Sequence, residues 1–510
     1  MNLRARQFAY GLLLTTALTP AAGRADELGL PPPLDATAVS ADSADLVPAG
    51  RVPVRFADSD AALADTVPAA PAPGRRVQLA QLEMEIPPPV GGYQPPVEKP
   101  AQPMQDSLQL DIERSIQAIS AESAPSVRAG LVYRTRPGQS GLSQLDEVGI
   151  PIEGRYSPGL TGTIKATINP LYLAAGSIGS ANLTQFGANE LLSAKGLALV
   201  GPGDQNAGGV IGKLGYSFGP YSAEIGESAI GFPVTNFIGS VAYQPRFLND
   251  ELTVRLEGSR TPVTDSLLSY AGARTSLGAA NAATGNAFGA NGTWGGVVKT
   301  GGHIAAYYDN QSVGAYAGAG LAYLSGTNVP DNGTVDALLG AYFRPYKSAD
   351  DQVRVGINLV YFGFDKNLSF YSFGQGGYFS PQNYEAVTFP VEYQGRSGRW
   401  SYLAAVGLGV QHFNQRQSPF FPNNPAAEQA LIASAGSAAA FYPGHVTTGL
   451  AANLRGQVEY ALDNDVSIGA AGSFNNGHDY NEGIAKIYIR KTFSEPAPGG
   501  IIPQPPRDNP

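Results

Sequence analysis

One stretch of the sequence has the spacing of a nucleophilic active site. Gly215-Tyr216-Ser217-Phe218-Gly219 fits the pattern Gly-x-Ser-x-Gly, in which a serine on a sharp strand-to-helix turn attacks an ester. That turn needs a helix after the second glycine, whereas the residues that follow, PYSA at 220–223, favour a turn and a second strand. With 63 glycines in 510 residues, a chance match is expected. We therefore predict that Ser217 is not a nucleophile and that the protein is not an enzyme.

The residue types that usually bind metals and phosphates are scattered. His303, His412, His445 and His478 have neither i,i+2 nor i,i+4 spacing, and the chain has no cysteine. The glycine-rich stretch 314–320 lacks the lysine of a phosphate-binding loop, so we interpret it as a strand. We predict no metal site and no cofactor. The lack of cysteine also suits an oxidising compartment outside the cytoplasm.

The charge balance limits the partners. The formal net charge is -9 and the sequence pI is about 5.1. Nucleic acid binding requires a basic stripe that neutralises phosphates, and the sequence has none. We therefore predict no nucleic acid partner and expect partners that are neutral.

The elements that position side chains in this chain are strands. Glycine, tyrosine and phenylalanine are abundant, at 63, 25 and 21 residues, and only 15% of residues are charged. From residue 127 onwards, apolar and polar residues alternate with period two, which predicts strands with one apolar and one polar face. The clearest alternating segments are 252–257, 353–361, 400–411, 454–460 and 484–493.

A membrane barrel explains these strands better than a soluble sandwich. Aromatic residues cluster near strand ends, as in Tyr342-Phe343, Tyr361-Phe362 and Tyr371 with Phe373, and we expect them in girdles at the two bilayer interfaces. In lipid an open sheet edge would leave backbone groups unpaired, so the sheet must close. The alternating region has room for on the order of 16 strands of ~9–11 residues with their loops. We predict an all-β fold, a transmembrane antiparallel β-barrel.

Four further segments complete the predicted organisation. Residues 1–25 have the basic, apolar and small-residue regions of a signal peptide, with cleavage near Ala25. Residues 26–102 are rich in proline and alanine, which predicts a disordered periplasmic linker. Residues 103–126 have helical apolar spacing, residues 127–493 form the barrel, and the proline-rich tail 494–510 is expected to be disordered.

A barrel of this width encloses an aqueous lumen unless loops fill it. The segments 271–291 and 415–444 are candidate long loops, because they are rich in alanine, asparagine and glycine. A conduit needs hydrogen-bonding side chains spread along its wall, without one tight site. Polar-face residues of the predicted strands are therefore our candidates for the lumen lining. They are Arg255, Glu257, Arg354, Asn358, Arg455, Gln457 and Glu459.

Several blocks of the chain resemble one family in consistent order. They are GLSQL at 141–145, GAYFRPY at 340–346, YFGFDKNL at 361–368, GGYFSPQ at 376–382 and GRSGR at 395–399. The region from residue 130 onwards resembles the C-terminal outer-membrane domain of cellulose synthase operon protein C, the cellulose export porin. We interpret Arg344-Pro345-Tyr346 and Asp365-Lys366-Asn367, within these blocks, as turns.

The resemblance implies a 16-stranded barrel that conducts a β-1,4-glucan made by an inner-membrane synthase under cyclic di-GMP control. It also implies an array of tetratricopeptide repeats before the barrel. We find no 34-residue helical repeat upstream of residue 127, and expect a barrel-only relative of the porin.

The expected partners are a neutral glucan chain and outer-membrane lipid. A periplasmic scaffold and the inner-membrane cellulose synthase complex are further candidate partners. Two alternatives stay open from the sequence. One is a general diffusion porin, and the other is a secreted carbohydrate-binding β-sandwich.

Overall fold

The computed structural model describes residues 125–157, 162–463, 465–477 and 480–493. The predicted signal peptide, the linker, nearly all of the helix at 103–126 and the tail 494–510 lie outside these ranges and stay predictions. None of the helices in the described part of the chain has the length and apolar composition to cross a membrane.

Sixteen antiparallel strands form one continuous sheet, and two of them, β2 and β6, are each interrupted once. They are β1 (Ser126–Arg136), β2 (Leu145–Gly149 with Ile152–Tyr156), β3 (Thr163–Ser177), β4 (Asp204–Phe218), β5 (Tyr221–Ile230), β6 (Phe237–Tyr243 with Arg246–Phe247), β7 (Leu252–Pro262), β8 (Thr293–Asp309), β9 (Val313–Thr327), β10 (Val329–Lys347), β11 (Asp351–Phe364), β12 (Asn383–Ser397), β13 (Trp400–Gln415), β14 (His445–Ala461), β15 (Val466–Gly477) and β16 (Tyr480–Thr492).

The sheet closes on itself. The first and last strands pair in register, from Ser126 opposite Thr492 to Thr135 opposite Gly483. Each of the other strands pairs with its neighbours in the chain, so the sheet is an up-and-down barrel. The prediction of an all-β barrel of about 16 strands is confirmed. A two-layer sandwich, one of the alternatives, has two sheets with free edges and is wrong.

The period-two alternation of the sequence corresponds to the outer and inner faces of the barrel. Leu256, Leu408 and Leu450 lie on the outer face and are exposed, Leu450 by 75%. Their neighbours along the strands, among them Glu257 and Gln411, point inwards. Because the outer face of a soluble barrel is in contact with water, an apolar outer face of this extent is typical of a barrel embedded in lipid.

The aromatic residues divide between the outer girdles and the interior. Phe343 and Tyr361 are exposed on the outer face, as expected. The girdle prediction is wrong for Tyr371 and Phe373, which lie in a loop and are buried. It is also wrong for Tyr342 and Phe362, which point inwards. Adjacent residues on one strand point to opposite faces, so only one of each pair can contact lipid.

The connections at the two ends of the barrel differ in length. At the end that holds the described termini, hairpins such as Gly219–Pro220 are short. At the opposite end, four of the connections are long loops, and others, such as the one at Asn328, are short. The long loops are loop A (178–203), loop B (263–292), loop C (365–382) and loop D (416–444). Loops B and D include the predicted loop segments, whereas loops A and C were not predicted.

The long loops contain two 3-10 helices, Ser180–Gln185 in loop A and Ser437–Ala440 in loop D. They also contain the four α-helices of the described residues, which are α1 (Asn189–Ala194) in loop A, α2 (Leu267–Ala271) and α3 (Gly278–Thr284) in loop B, and α4 (Pro425–Ala435) in loop D. Asn424 caps α4, since its side chain accepts from the Ala427 N–H and Pro425 follows at the first helical position.

The turn interpretation of Arg344-Pro345-Tyr346 is wrong, because these residues belong to β10. The pairing of β10 with β11 shifts register between Phe343 and Tyr346. Pro345 lies at this irregularity, where a backbone N–H is not needed for a hydrogen bond to the neighbouring strand.

Candidate functional site: the lumen wall and the loop bundle

All seven predicted lumen residues lie on the inward face of their strands. Five of them stand on two strands, Arg354 and Asn358 on β11 and Arg455, Gln457 and Glu459 on β14. Their neighbours on these strands are exposed on the outer face, for example Ile357 and Leu454.

An acidic residue of β12 connects two of the predicted arginines. Glu392 forms an ion pair with Arg354 on one side, and its Oε2 lies 2.8 Å from Nη2 of Arg455 on the other. Glu392 is buried, so both guanidiniums are held against the wall by a carboxylate that water screens little. Sequence reasoning missed Glu392. It alternates with exposed Val391 and Tyr393, which is the signal that could have found it.

The other predicted residues of β14 join a second polar group. Glu459 accepts a hydrogen bond from the Tyr488 hydroxyl at 2.8 Å and forms an ion pair with Arg490. Gln457 donates to the same hydroxyl at 3.4 Å. On β11, Asn358 accepts from the hydroxyl of Tyr316.

The remaining pair lies elsewhere on the wall. Arg255 and Glu257 stand two residues apart on β7, with Nε 2.8 Å from Oε2 of the glutamate. Arg255 also donates to the side chain of Gln244 at 3.0 Å. The structure therefore brings five of the seven residues into neighbouring groups and leaves this pair apart.

Many charges of the inward face are paired with opposite charges. Besides the pairs above, they include Arg128 and Arg155 with Glu153, Lys165 and Lys213 with Glu224, Lys299 with Asp336, and Arg344 with Asp309. Paired charges of both signs leave the wall polar and give it little net field. Such a surface can hydrogen bond to hydroxyl groups without selecting an anion or a cation.

A charged cluster on β1 links the wall to loop B. Arg134 lies 2.7 Å from Glu147, and Nε of Arg136 lies 2.8 Å from Glu482. Arg136 also donates to the backbone oxygen of Asp265, and Arg134 donates to the backbone oxygen of Thr264 at 3.2 Å. Strands β1 and β7 are not neighbours in the sheet, so loop B reaches across the lumen to make these contacts.

Aromatic side chains from all four loops pack into one core, which with its loops we call the loop bundle. Phe186 of loop A lies 5.1 Å from Trp294, at the start of β8, and Trp294 lies 5.4 Å from Phe373 of loop C, between ring centroids. Phe288 of loop B packs edge-on against Phe373 at 5.8 Å and against Phe421 of loop D at 5.1 Å. Because each aromatic ring buries a large apolar area, these ring contacts hold together four loops that are distant in sequence.

Loop C attaches the bundle to the inner wall. Phe379 packs edge-on against Phe413 of β13 at 5.1 Å and against Tyr384 of β12 at 6.2 Å. Tyr384 in turn stacks on Phe362 of β11 at 4.3 Å. The bundle therefore lies within the lumen at the end opposite the described termini and narrows it there.

Polar contacts also join loops B and C. The Ser266 hydroxyl donates to the Gly377 oxygen at 2.6 Å, and the Phe379 N–H donates to the Asp265 carboxylate at 3.0 Å. Burial raises the pKa of Asp265, although Arg136 opposes this. Both contacts span more than a hundred residues of sequence.

Two carboxyls in the bundle are held away from water. Burial raises the pKa of Glu190, in α1, to about 7, and no described cation forms an ion pair with it. Burial also raises the pKa of Glu428, in α4, although its carboxylate accepts from the Phe421 N–H at 2.9 Å. A buried carboxyl of this kind is protonated more easily than an exposed one.

The sequence motifs considered for chemistry lie in the wall. Ser217 is a strand residue one position before the end of β4, opposite Thr163 and Ser222, and a two-residue hairpin follows rather than a helix. His303 points inwards, 3.8 Å from Asp336, and His412 hydrogen bonds to Thr448 at 2.7 Å. His445 begins β14, and His478 lies outside the described residues.

Comparison with known proteins places most of the barrel in one family. A family model described as the cellulose synthase operon protein C C-terminus matches residues 143–494. A protein named cellulose synthase operon protein C from Komagataeibacter xylinus is 33% identical over 428 residues, which are 80% of this chain and 31% of that protein. One with the same name from Xanthomonas axonopodis pv. citri is 36% identical over 334 residues, 62% of this chain and 21% of that protein. The chain thus spans about a third or less of the length of these curated relatives.

Among solved structures, a bacterial polysaccharide outer membrane secretin matches with a TM-score of 0.43 and 11% identity, over 73% of this chain and 99% of that one.

Proposed function

The chain belongs to the family of the cellulose synthase operon protein C C-terminus, and on that premise we propose that it is an outer-membrane pore through which a neutral polysaccharide, cellulose, leaves the cell. The observation that carries the proposal is the inward face of the barrel, where ion pairs such as Arg354 with Glu392 lie among hydroxyl and amide groups. The drive for export comes from polymerisation at the inner membrane, because a passive pore supplies none.

The paired charges suit a glucan. A β-1,4-glucan has no charge, and it offers hydroxyl groups along its edges. Arg354, Asn358 and Arg455 offer donors to these hydroxyls, and Glu392 and Glu459 offer acceptors. Since each contact is weak and the groups are spread along several strands, the polymer can slide from one group to the next.

The loop bundle suits a gated exit. It narrows one end of the lumen through aromatic contacts, so a polymer must displace it or thread past it. In outer-membrane barrels the long loops face the outside and the short turns face the periplasm. With this orientation the bundle stands at the exit, and the chain end that would meet a periplasmic scaffold and the synthase complex stands at the entrance.

Deletion of the gene in a strain that makes the polymer tests the proposal. We expect polymer synthesis in membranes to continue and secreted polymer to be lost, and expression of the wild-type chain to restore secretion. A strain lacking the protein that secretes normally would overturn the proposal. Purified barrel in planar bilayers supplies the matched test, in which neutral cello-oligosaccharides should interrupt the ion current and anionic oligosaccharides of equal length should do so much less.

A further inference from the structure

One arginine lies on the outer face of the barrel, among apolar residues. Arg260 on β7 shares its face with Leu256, which is exposed, whereas Glu257 and Arg255 point inwards and pair with each other. Arg260 is two residues from Pro262, the last residue of β7 on the loop side. Exposed Phe237 begins β6 at the same level.

The structure holds this guanidinium in place and leaves part of it open. Its Nε donates to the Phe237 oxygen at 3.0 Å, and its Nη1 donates to the Thr300 hydroxyl at 2.7 Å. No carboxylate among the described residues forms an ion pair with Arg260, and Nη2 has no described acceptor. A cation on the lipid face of a barrel costs free energy unless it lies near the interface or meets an anion.

An apolar groove begins directly below Arg260 on the same face. It has a volume of about 1230 Å³ and crosses the outer surface from β4 to β11. Gly258, two residues from Arg260, and Gly302, two residues from Thr300, form part of its floor with Ala319 and Ala337. Larger apolar side chains line much of the rest. They include the aliphatic residues Val241, Leu256, Ile304, Leu321 and Val335 and the aromatic residues Tyr216, Phe218, Tyr221, Tyr243 and Tyr361.

We propose that Arg260 and the groove bind one phosphorylated acyl lipid of the outer leaflet, with the phosphate on the guanidinium and the acyl chains in the groove. The proposal rests on the membrane placement given above. Charge complementarity selects the occupant, because an unpaired arginine at headgroup level favours an anion and the groove below it favours hydrocarbon. A second copy bound about a twofold axis would instead bring two unpaired guanidiniums into one interface, which is unfavourable.

Native mass spectrometry of the intact chain in detergent, with bisphosphorylated lipid A as the probe, tests the proposal. We expect a single tightly bound lipid on the wild type and about tenfold weaker binding by Arg260→Gln, since a charge-assisted contact to phosphate is lost. Arg260→Lys should retain part of the affinity. Gly302→Leu should also weaken binding, because a Cβ at Gly302 meets nothing closer than 3.7 Å and the side chain would fill the groove without disturbing the wall.

Two controls decide what is bound. Arg396→Gln changes an exposed arginine at the short-turn end, paired with Asp350 at 3.5 Å, and should bind lipid A like the wild type. Lipid A stripped of phosphate should bind the wild type as weakly as it binds Arg260→Gln. Equal binding by the wild type and Arg260→Gln would overturn the proposal, and so would displacement of the lipid by inorganic phosphate alone.

The lipid measurement uses no glucan, so it is independent of the transport test. If the barrel binds lipid A through Arg260 but a strain lacking the protein still secretes polymer normally, the export proposal is refuted and the lipid site stands. A barrel that conducts glucan but shows no Arg260-dependent lipid binding would refute the lipid site and keep the export proposal.

Discussion

The wall and the loop bundle are held together by different kinds of contact, although they belong to one chain. In the wall, side chains contact neighbours on adjacent strands, as Glu392 does with Arg354 and Arg455, and the backbone ladder sets every position. In the bundle, Phe186 packs on Trp294 and Phe288 packs on Phe421, each across more than a hundred residues. Backbone pairing between the loops is limited to short stretches such as the bridge between Gly187 and Ser372. We expect a wall of this kind to keep its shape without the bundle, whereas the bundle depends on the wall. The lumen can then stay rigid while the end that holds the bundle moves.

Removal of loop D should produce the largest effect. Gln415 and His445 are paired in the ladder of β13 and β14, so residues 416–444 can be replaced by a two-residue Asn-Gly hairpin. The replacement deletes α4 and Phe421, and the bundle loses one of its four sources of aromatic contacts. We expect a severalfold rise in single-channel conductance, measured in planar bilayers, with unchanged heat-dependent migration on denaturing gels.

The matched control for that variant is a two-residue replacement of the short turn 310–312 at the other end of the barrel. This turn does not contact the bundle, so conductance should stay at the wild-type value. If the loop D variant conducts no more than the wild type, the bundle does not narrow the lumen, and the comparison between wall and bundle fails.

Loss of the link between the two regions should have the next largest effect. Arg136→Ala removes the contact with Asp265 and leaves Glu482 buried without that partner. Breaking a buried ion pair costs on the order of 3 kcal/mol. We expect more frequent openings in single-channel records and a lower melting temperature. Arg155→Ala, which removes a wall arginine paired with Glu153, should not change the openings. Equal opening frequencies in the two variants would show that β1 does not anchor the bundle.

The sequence predicted the wall far better than the bundle, and the reason is local periodicity. Residues 252–257 reveal their two faces within six positions, because a strand alternates its side chains regardless of its partner. The seven lumen residues followed from that rule, and all seven point inwards. Strand β12 was harder to recognise because Pro390 interrupts the pattern in its middle.

The bundle has no such local signal. Ser266 and Gly377 form a hydrogen bond across 111 residues, and nothing in either segment indicates the other. The sequence places Tyr371 and Phe373 in a lipid girdle, although an aromatic residue in a barrel sequence can either face lipid or pack in a core. Only the path of loop C, back into the lumen, decides between these two environments.

A change in wall charge should have a smaller effect. Glu392→Gln leaves Arg354 and Arg455 without their shared carboxylate and makes the wall locally positive. We expect a shift of about twofold towards anions in the permeability ratio, read from the reversal potential in a salt gradient. Glu385→Gln alters an exposed residue of the same strand and should leave the ratio unchanged. A ratio that stays constant in Glu392→Gln would mean that the paired charges do not set the field in the lumen.

The smallest expected effect is a pH dependence confined to the bundle. The pKa of Glu190 is raised from 4.5 to about 7 by burial, so packed loops hold a proton that unpacked loops release between these values. Packing therefore weakens as the pH rises through this window and changes little above it. We expect the open fraction in single-channel records to increase modestly from about pH 5 to about pH 8 in the wild type, and to stay flat in Glu190→Gln, which keeps a neutral side chain throughout. The same slope in both proteins would assign the dependence to another group, and no slope in either would mean that Glu190 ionises without loosening α1.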